Sequence, residues 1–274
     1  MTATSFATTR DPRPFVKWVG GKLQLLDRLV RYIPERFGTY HEPFVGGGAL
    51  FFHLRPERAC LSDSNERLIR TYRGLRDDPE RVIELLREYP HDKEFFLEFR
   101  TRDIDASECD AEVAAWFIYL NKTAYNGLYR VNSKNIFNVP FGDNKNPNIC
   151  DADNIRACSR ALQTAKLEVG DFETVLDRAK PRDFVYFDPP YVPLSVTSAF
   201  TSYTRDGFDM NDQVRLRDVA LELKKRGVYV LLSNSSAPAV RELYADFELI
   251  EVRARRAVNC KVEGRGEVKE LLIR

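Results

Sequence analysis

The sequence predicts an α/β fold built on a doubly wound, mostly parallel sheet of seven strands whose last pair is antiparallel, interrupted by one large insertion. Three observations predict it. Short β-rich runs recur along the chain, and the first five are near-continuous apolar stretches, which is how strands buried on both faces read. Helical patterns at 50–54, 156–165 and 212–225 fall between those runs. Between the second and third runs about a hundred residues break the rhythm, far more than the dozen or so that a crossover needs.

The runs lie at 40–44, 59–61, 167–169, 184–187, 228–232, 249–253 and 270–273. The last two are joined by a Gly-rich, basic loop and pair as an antiparallel couple. The insertion carries amphipathic helices at 79–88, 92–102 and 111–121, then a turn-rich, basic and aromatic stretch up to Cys150. Residues 1–65 and 156–274 are accordingly read as one domain around the sheet, and 66–155 as a second, inserted one.

The 274 residues, 43% apolar and 12% aromatic, are enough for a substantial core, which excludes disorder and fibrous repeats. No stretch approaches the ~18 consecutive apolar residues of a membrane span, and the Thr-rich start lacks the apolar segment of a secretory signal, so a soluble, intracellular protein is expected. Five scattered cysteines without a C-x-x-C pair suggest neither a disulfide framework nor a zinc site. His41, His53 and His91 are isolated, and no metal is expected. The charge balance of 42 basic against 41 acidic residues hides an uneven spread. Residues 76–112 are net −7, whereas 121–148 are net +3 and 253–274 net +4, a pattern compatible with a nucleic-acid partner.

Two constellations carry chemistry. The first is His41-Glu42-Pro43-Phe44-Val45-Gly46-Gly47-Gly48, running from a strand into an apolar helix, with Asp63 at the end of the next strand. Glycines there let the backbone approach a ligand, and a carboxylate at the end of the second strand can accept from ribose hydroxyls. The match to G-x-G-x-x-G is incomplete, because Phe51 replaces the third glycine, and Gly20-Gly21-Lys22-Leu23 lacks the spacing of a P-loop. The second is Phe184-Val185-Tyr186-Phe187-Asp188-Pro189-Pro190-Tyr191, a buried strand delivering a carboxylate, two prolines and an aromatic to the ligand-binding edge of the sheet. The prolines remove two N–H donors and leave carbonyls as acceptors, while Tyr191 offers a stacking face. A pocket of acceptors with an aromatic wall suits the amino group of a planar base.

With these landmarks the chain resembles the Dam-type, α-group (D12 class) site-specific DNA adenine N6-methyltransferases. The resemblance runs in the family's order through Lys17-Trp18-Val19-Gly20-Gly21-Lys22, the 42–48 run, Tyr125-Asn126-Gly127-Leu128-Tyr129-Arg130, Phe137-Asn138-Val139-Pro140-Phe141-Gly142 and Asp188-Pro189-Pro190-Tyr191, so it covers nearly the whole chain. It implies a Rossmann-like S-adenosylmethionine-dependent methyltransferase sheet, with a helical plus β-hairpin target-recognition domain as the insert. S-adenosylmethionine is the implied methyl donor, without a metal. Trp18 and Lys22 would hold its methionine part, and Glu42, Pro43, Phe44, Gly46 and Gly48 would pass beneath it. Asp63 would take the ribose, Asp171 and Phe172 the adenine, and Asp188 would belong to the cofactor-binding residues as well.

The same resemblance makes Asp188, Pro189, Pro190 and Tyr191 the catalytic pocket for an adenine flipped out of duplex DNA. Relatives that methylate cytosine N4 usually begin this motif with Ser and those that methylate a protein glutamine with Asn, so Asp188 points to adenine. Asn126-Gly127 is a tight-turn pair, and a hairpin at about 121–142 would carry Tyr125, Leu128 and Arg130 at its tip into a major groove. The family's GATC readers fall on Lys17, Tyr125, Asn126, Leu128, Arg130 and Pro140, with Asn138 in the same stretch. The implied setting is bacterial-type, cytoplasmic and DNA-associated, with the enzyme acting as a monomer and a restriction-modification role among the possibilities. RNA adenine methylation, a catalytically silent DNA-binding relative and, last, a nicotinamide or flavin oxidoreductase are the alternatives. Phe200 and Tyr203, and the basic group Arg255, Arg256, Lys261 and Arg265, are read as a loop over the base and as phosphate contacts, or as plain surface.

Overall fold

A four-residue apolar strand stopped by two prolines sets the centre of the sheet. Phe184–Phe187 (β4) is buried throughout, and Pro189 and Pro190 have no N–H with which to continue its ladder. The computed structural model describes residues 11–192, 208–255 and 267–274. In it, Tyr40–Glu42 (β1), Ala59–Asp63 (β2), Ala165–Val169 (β3), β4, Tyr229–Ser235 (β5), Leu249–Arg255 (β6) and Glu267–Ile273 (β7) form one sheet in the order β3-β2-β1-β4-β5-β7-β6. The first five pair in parallel, and β7 runs antiparallel to both β5 and β6. All seven expected strands are present and the last pair is antiparallel, as the sequence predicts.

The described chain divides into two compact units, Met1–Gly21, Gly47–Arg55 and Glu66–Thr164 in one, and Lys22–Gly46, Pro56–Asn65 and Ala165–Arg274 in the other. The second unit contains the whole sheet. Val185 and Phe187 of β4 and Val230 and Leu232 of β5 share a buried cluster with Leu216, Val219 and Leu223 from a helix over Met210–Lys225. Residues two apart on a strand point to one face, so this spacing assigns the face directly. That helix starts at Asp209, whose side chain accepts the Asn211 and Asp212 N–H groups while Asp212 returns the bond, a reciprocal cap. At the opposite end of the strands, Asp183 accepts from the Thr39 and Lys180 N–H groups at 2.7 and 2.9 Å and contacts His41 Nε2 at 3.0 Å.

In the first unit the helices are Ala49–Leu54 (α2), Glu66–Asp77 (α3), Pro79–Glu88 (α4), Lys93–Phe99 (α5), Asp110–Thr123 (α6) and Ala152–Leu162 (α7), with Leu26–Leu29 (α1), Met210–Lys225 (α8) and Pro238–Leu243 (α9) in the other. Asp78 and Asp92 cap α4 and α5 by accepting the Arg81 and Phe95 N–H groups. The helix expected at 92–102 ends at Phe99, where the Thr101 hydroxyl takes the Glu98 carbonyl at 2.7 Å. Helix α6 is buried on nearly every side, so its apolar residues show no stripe. Helix α3 packs on it through Gly74, where an added Cβ would run into the Asp110 carbonyl and lie 2.9 Å from the Ala114 Cβ.

The expected hairpin takes a different form. Residues 121–123 belong to α6, and antiparallel pairing beyond them is confined to two isolated bridges, Ala124 with Phe141 and Val131 with Phe137. Asn126 and Gly127 do form a tight turn, with φ of 54° and 67°, but it lies within the outgoing arm rather than at the tip. The reason is local: Gly127 is buried and its carbonyl accepts from the Asn121 side chain at 2.8 Å, which turns the chain inward there. The tip is at 132–136, where Asn132 Oδ1 accepts the Lys134 and Ile136 N–H groups at 2.9 and 3.0 Å.

Gly74→Val should lower stability by about 1–3 kcal/mol by overpacking the α3–α6 contact. A thermal melt followed by circular dichroism measures it; an unchanged midpoint would show that the contact has slack.

Candidate functional site

Strand order places the site. Neighbours diverge between β1 and β4, β1 leading on to β2 and β4 to β5, and at such a switch point ligands bind outside the carboxyl ends of the strands. Glu42 ends β1, Asp63 ends β2, Asp171 follows β3 and Asp188 follows β4, so four carboxylates occupy the corresponding ends of four parallel strands.

Asp188 is the centre of a closed polar network. Its Oδ1 lies 2.8 Å from Lys22 Nζ, with 5% of the lysine side chain and 19% of the aspartate exposed. Burial raises the Asp188 carboxyl above its ordinary range, the Lys22 ammonium opposes that rise, and the charge of Glu270 adds to it. The same ammonium stands 4.6 Å from the centroid of the Tyr191 ring. Tyr191 donates its hydroxyl to Glu270 Oε2 at 2.6 Å, and burial, reinforced by Asp188 and Glu270, pushes the phenol well up, so it acts as a neutral donor. Two buried amides hold the backbone on either side of Tyr191. Gln213 Nε2 donates to the Pro190 carbonyl at 3.0 Å, Asn234 Nδ2 donates to Gln213 Oε1 at 3.0 Å, and Asn234 Oδ1 accepts the Val192 N–H at 3.5 Å. Pro189 is buried and Pro190 exposed.

The other carboxylates are also organised. Glu42, 3% exposed, accepts the Tyr40 hydroxyl at 2.8 Å. Asp63 accepts the Gly46 N–H at 3.1 Å and the Asn65 N–H at 3.0 Å, which ties the end of β2 to the turn after β1. Burial raises the Asp63 carboxyl and those two N–H groups pull against it. Pro43 is buried, and Phe44 stacks on Phe172 at 5.4 Å. Phe172 is 4% exposed and carries the Arg215 guanidinium 5.0 Å from its centroid, while Arg215 pairs with Asp171 at 3.2 Å.

The remaining candidates belong to the first unit. Trp18 stacks with Phe117 and Tyr129 at 6.3 and 6.1 Å, and Gly48, at φ 65°, has no room for a side chain because a Cβ would sit 2.6 Å from the Tyr72 hydroxyl. Lys17, Tyr125, Asn126, Arg130 and Pro140 are exposed, and Leu128 and Asn138 half-buried. Arg130 is oriented by Asn138, to which Nε donates at 2.7 Å and Nη2, to the carbonyl, at 3.2 Å. The Tyr125 N–H donates to the Pro140 carbonyl at 2.9 Å, so the two arms of the loop are pinned at its base. Phe200, Tyr203, Arg256, Lys261 and Arg265 lie outside the described residues. Among the described residues no cluster of His, Cys, Asp and Glu could hold a metal ion, and no helix is long and apolar enough to cross a membrane.

The family model for D12 class N6 adenine-specific DNA methyltransferases matches residues 18–258. The chain belongs to this family. It is 47% identical over 268 residues to a type II methyltransferase of Lactococcus lactis subsp. cremoris, spanning 95% of this chain and 94% of the relative. It is 41% identical over 285 residues to a type II methyltransferase of Methanocaldococcus jannaschii, spanning 96% and 99%. A DNA adenine methylase of Escherichia coli K12 is 35% identical over 264 residues, spanning 95% and 94%. The protein is thus an adenine-specific DNA methyltransferase, and membership in the family implies S-adenosylmethionine as its methyl donor.

In this D12 methyltransferase, sequence reasoning missed Gln213, Asn234 and Glu270. Glu270 had a signal, a carboxylate opening the apolar run Leu271-Leu272-Ile273; Asn234, between Ser233 and Ser235 past the end of its run, and Gln213, on a helix, have none.

Because burial raises the Asp188 carboxyl, a reaction that needs this carboxylate ionised should fail, on acidification, at a pH above the ordinary aspartate range. Lys22→Met removes the charge that opposes the rise, so the acid limb should move to still higher pH in single-turnover profiles at saturating methyl donor. An unmoved limb would mean that another group titrates.

Proposed function

We propose that the methyltransferase transfers methyl groups to N6 of an adenine flipped out of a double-stranded site, most simply GATC, with Asp188-Pro189-Pro190-Tyr191 as its catalytic pocket. The observation that carries this reading is a half-buried carboxylate, paired with the buried Lys22, just past the end of β4 beside the switch point of the sheet.

The residues present fit S-adenosylmethionine by the chemistry of their donor set: a buried carboxylate at the end of β1 and a half-buried one at the end of β2 for a ligand bearing an ammonium and ribose hydroxyls, and aromatic and apolar surface for its purine. Trp18, Lys22, the 42–48 turn, Asp63, Asp171 and Phe172 would hold it. When bound, it supplies an electrophilic methyl group on a sulfonium. The chain does the rest by positioning and charge. The Asp188 carboxylate accepts one N–H of the adenine amino group and the Pro189 carbonyl the other, which favours a pyramidal nitrogen whose lone pair is withdrawn from the ring. Held in line, that nitrogen needs no protein nucleophile. The carboxylate also stabilises the positive charge growing on N6, and its raised pKa makes it a better acceptor for the proton that must leave. Tyr191, with its hydroxyl fixed by Glu270, would stack on the flipped base.

Recognition falls, on this reading, to the insert at 66–155 together with Lys17 from outside it, and catalysis to 1–65 and 156–274. Lys17 would meet the first guanine, Leu128 and Pro140 the thymine, Arg130 the last guanine-containing pair, and Tyr125 with Asn126 the space left by the adenine. Asn138, by fixing two N–H groups of Arg130, would aim the others at a base edge.

Labelled methyl transfer to duplexes with and without GATC, followed by nucleoside analysis, tests the whole reading. N6-methyladenine confined to GATC is expected; methylation at another sequence would remove the reader assignments, and product on RNA alone would remove the DNA substrate. Asp188→Ala should reduce single-turnover rate on the order of a thousandfold in a protein that still folds but melts lower, because Lys22 loses its partner; retained activity would sink the mechanism. Arg130→Ala should relax discrimination at one base pair by about 1–3 kcal/mol while leaving methyl-donor affinity unchanged, and the reverse pattern would show that Arg130 does not read bases.

A further inference from the structure

Asn121 lies in the last turn of α6 and is 1% exposed. Its Oδ1 accepts the Lys17 N–H at 2.8 Å, and its Nδ2 donates to the Lys17 carbonyl at 2.9 Å and to the Gly127 carbonyl at 2.8 Å. The paired contacts with Lys17 copy the N–H and C=O exchange of an antiparallel bridge, with a side-chain amide in place of a strand. The third contact reaches the turn whose central residues are Asn126 and Gly127. On the other side of that turn the fit is equally tight. Gly127 has φ +67°, and a Cβ there would lie 2.6 Å from Lys17 Cδ and 2.9 Å from Lys17 Cβ. The lysine stem therefore crosses directly over the glycine, beside the exposed Tyr125 and Asn126.

We propose that Asn121 is a positioning residue for target recognition, whose one amide locks Lys17 and the 125–128 turn into a single reading element. The inference rests on the reading that these exposed residues meet DNA. A lysine is a flexible point charge, and it discriminates between bases only when its stem is held. Here two segments of the same unit, far apart in sequence, are held in register by one side chain, so their base preferences are coupled. Arg130 has its own support in Asn138 and stands outside that coupling.

The test first maps the methylated motif by sequencing, then measures single-turnover methylation on duplexes with each single base-pair change, for the wild type, Lys17→Ala, Tyr125→Ala, Arg130→Ala, Asn121→Ser and Gly127→Ala, with methyl-donor affinity and melting temperature alongside. Asn121→Ser should lose discrimination on the order of tenfold, the weight of one good base contact, at both of the positions relaxed by Lys17→Ala and by Tyr125→Ala. Discrimination at the position relaxed by Arg130→Ala should be kept, as should methyl-donor affinity. Gly127→Ala, which leaves the buried amide untouched, should relax the same two positions and decides the matter if Asn121→Ser does not fold. Equal loss at every position, or none, overturns the proposal while a relaxed Lys17→Ala keeps the reading of the interface. If Lys17→Ala relaxes nothing, that reading fails and the proposal with it.

Discussion

A carboxylate at the end of a buried strand must find a cation or hydrogen-bond donors, and at Asp188 the partner is the Lys22 ammonium, 2.8 Å away. Much of the sheet unit is arranged around that requirement. The lysine comes from a short turn that precedes β1, the aspartate from β4, and the same ammonium lies over Tyr191. Glu270 of β7 takes the tyrosine hydroxyl, and Gln213 of α8 and Asn234 of β5 hold the backbone around it. Five elements thus meet at one four-residue motif. In a low-dielectric site each of these groups is expensive to leave unsatisfied, so the loss of one partner is felt by the others.

The first unit meets a different constraint, the need to present polar residues from loops without leaving them loose. It uses two devices. Aromatic rings stack beneath the loop, Phe117 against Tyr129 at 4.5 Å with Trp18 beside them, and bridging amides tie segments together, Asn121 to Lys17 and Gly127 and Asn138 to Arg130. A rigid apolar base with short polar struts gives surface residues fixed directions while costing little of the core.

How far this was legible in the sequence depended on where the signal lay. All seven strands were, because runs such as Phe184-Val185-Tyr186-Phe187 are unbroken apolar stretches bounded by turn residues. The carboxylates at strand ends were legible too, since chain order and the rule of the carboxyl edge place them without coordinates. Helix α3 was missed although Leu68, Ile69, Tyr72 and Leu75 recur at helical spacing, because four arginines interrupt the pattern. The tip of the 124–142 loop was misplaced because Asn126-Gly127 has true turn chemistry, and only the bond from the Asn121 side chain reveals that the turn faces inward. Gln213 could not be found at all, for a buried glutamine on a helix carries no local mark of its partner.

The position of β7 has a further consequence. It is the last strand in chain order yet lies inside the sheet, between β5 and β6. During synthesis β6 therefore emerges before the strand it pairs with, and β5 waits with one edge bare. The hydroxyl of Tyr191 likewise has no Glu270 to meet until β7 arrives. The surroundings of Tyr191 are thus completed only when β7 has been made, and a chain that stops before it lacks both a closed sheet and an anchored tyrosine.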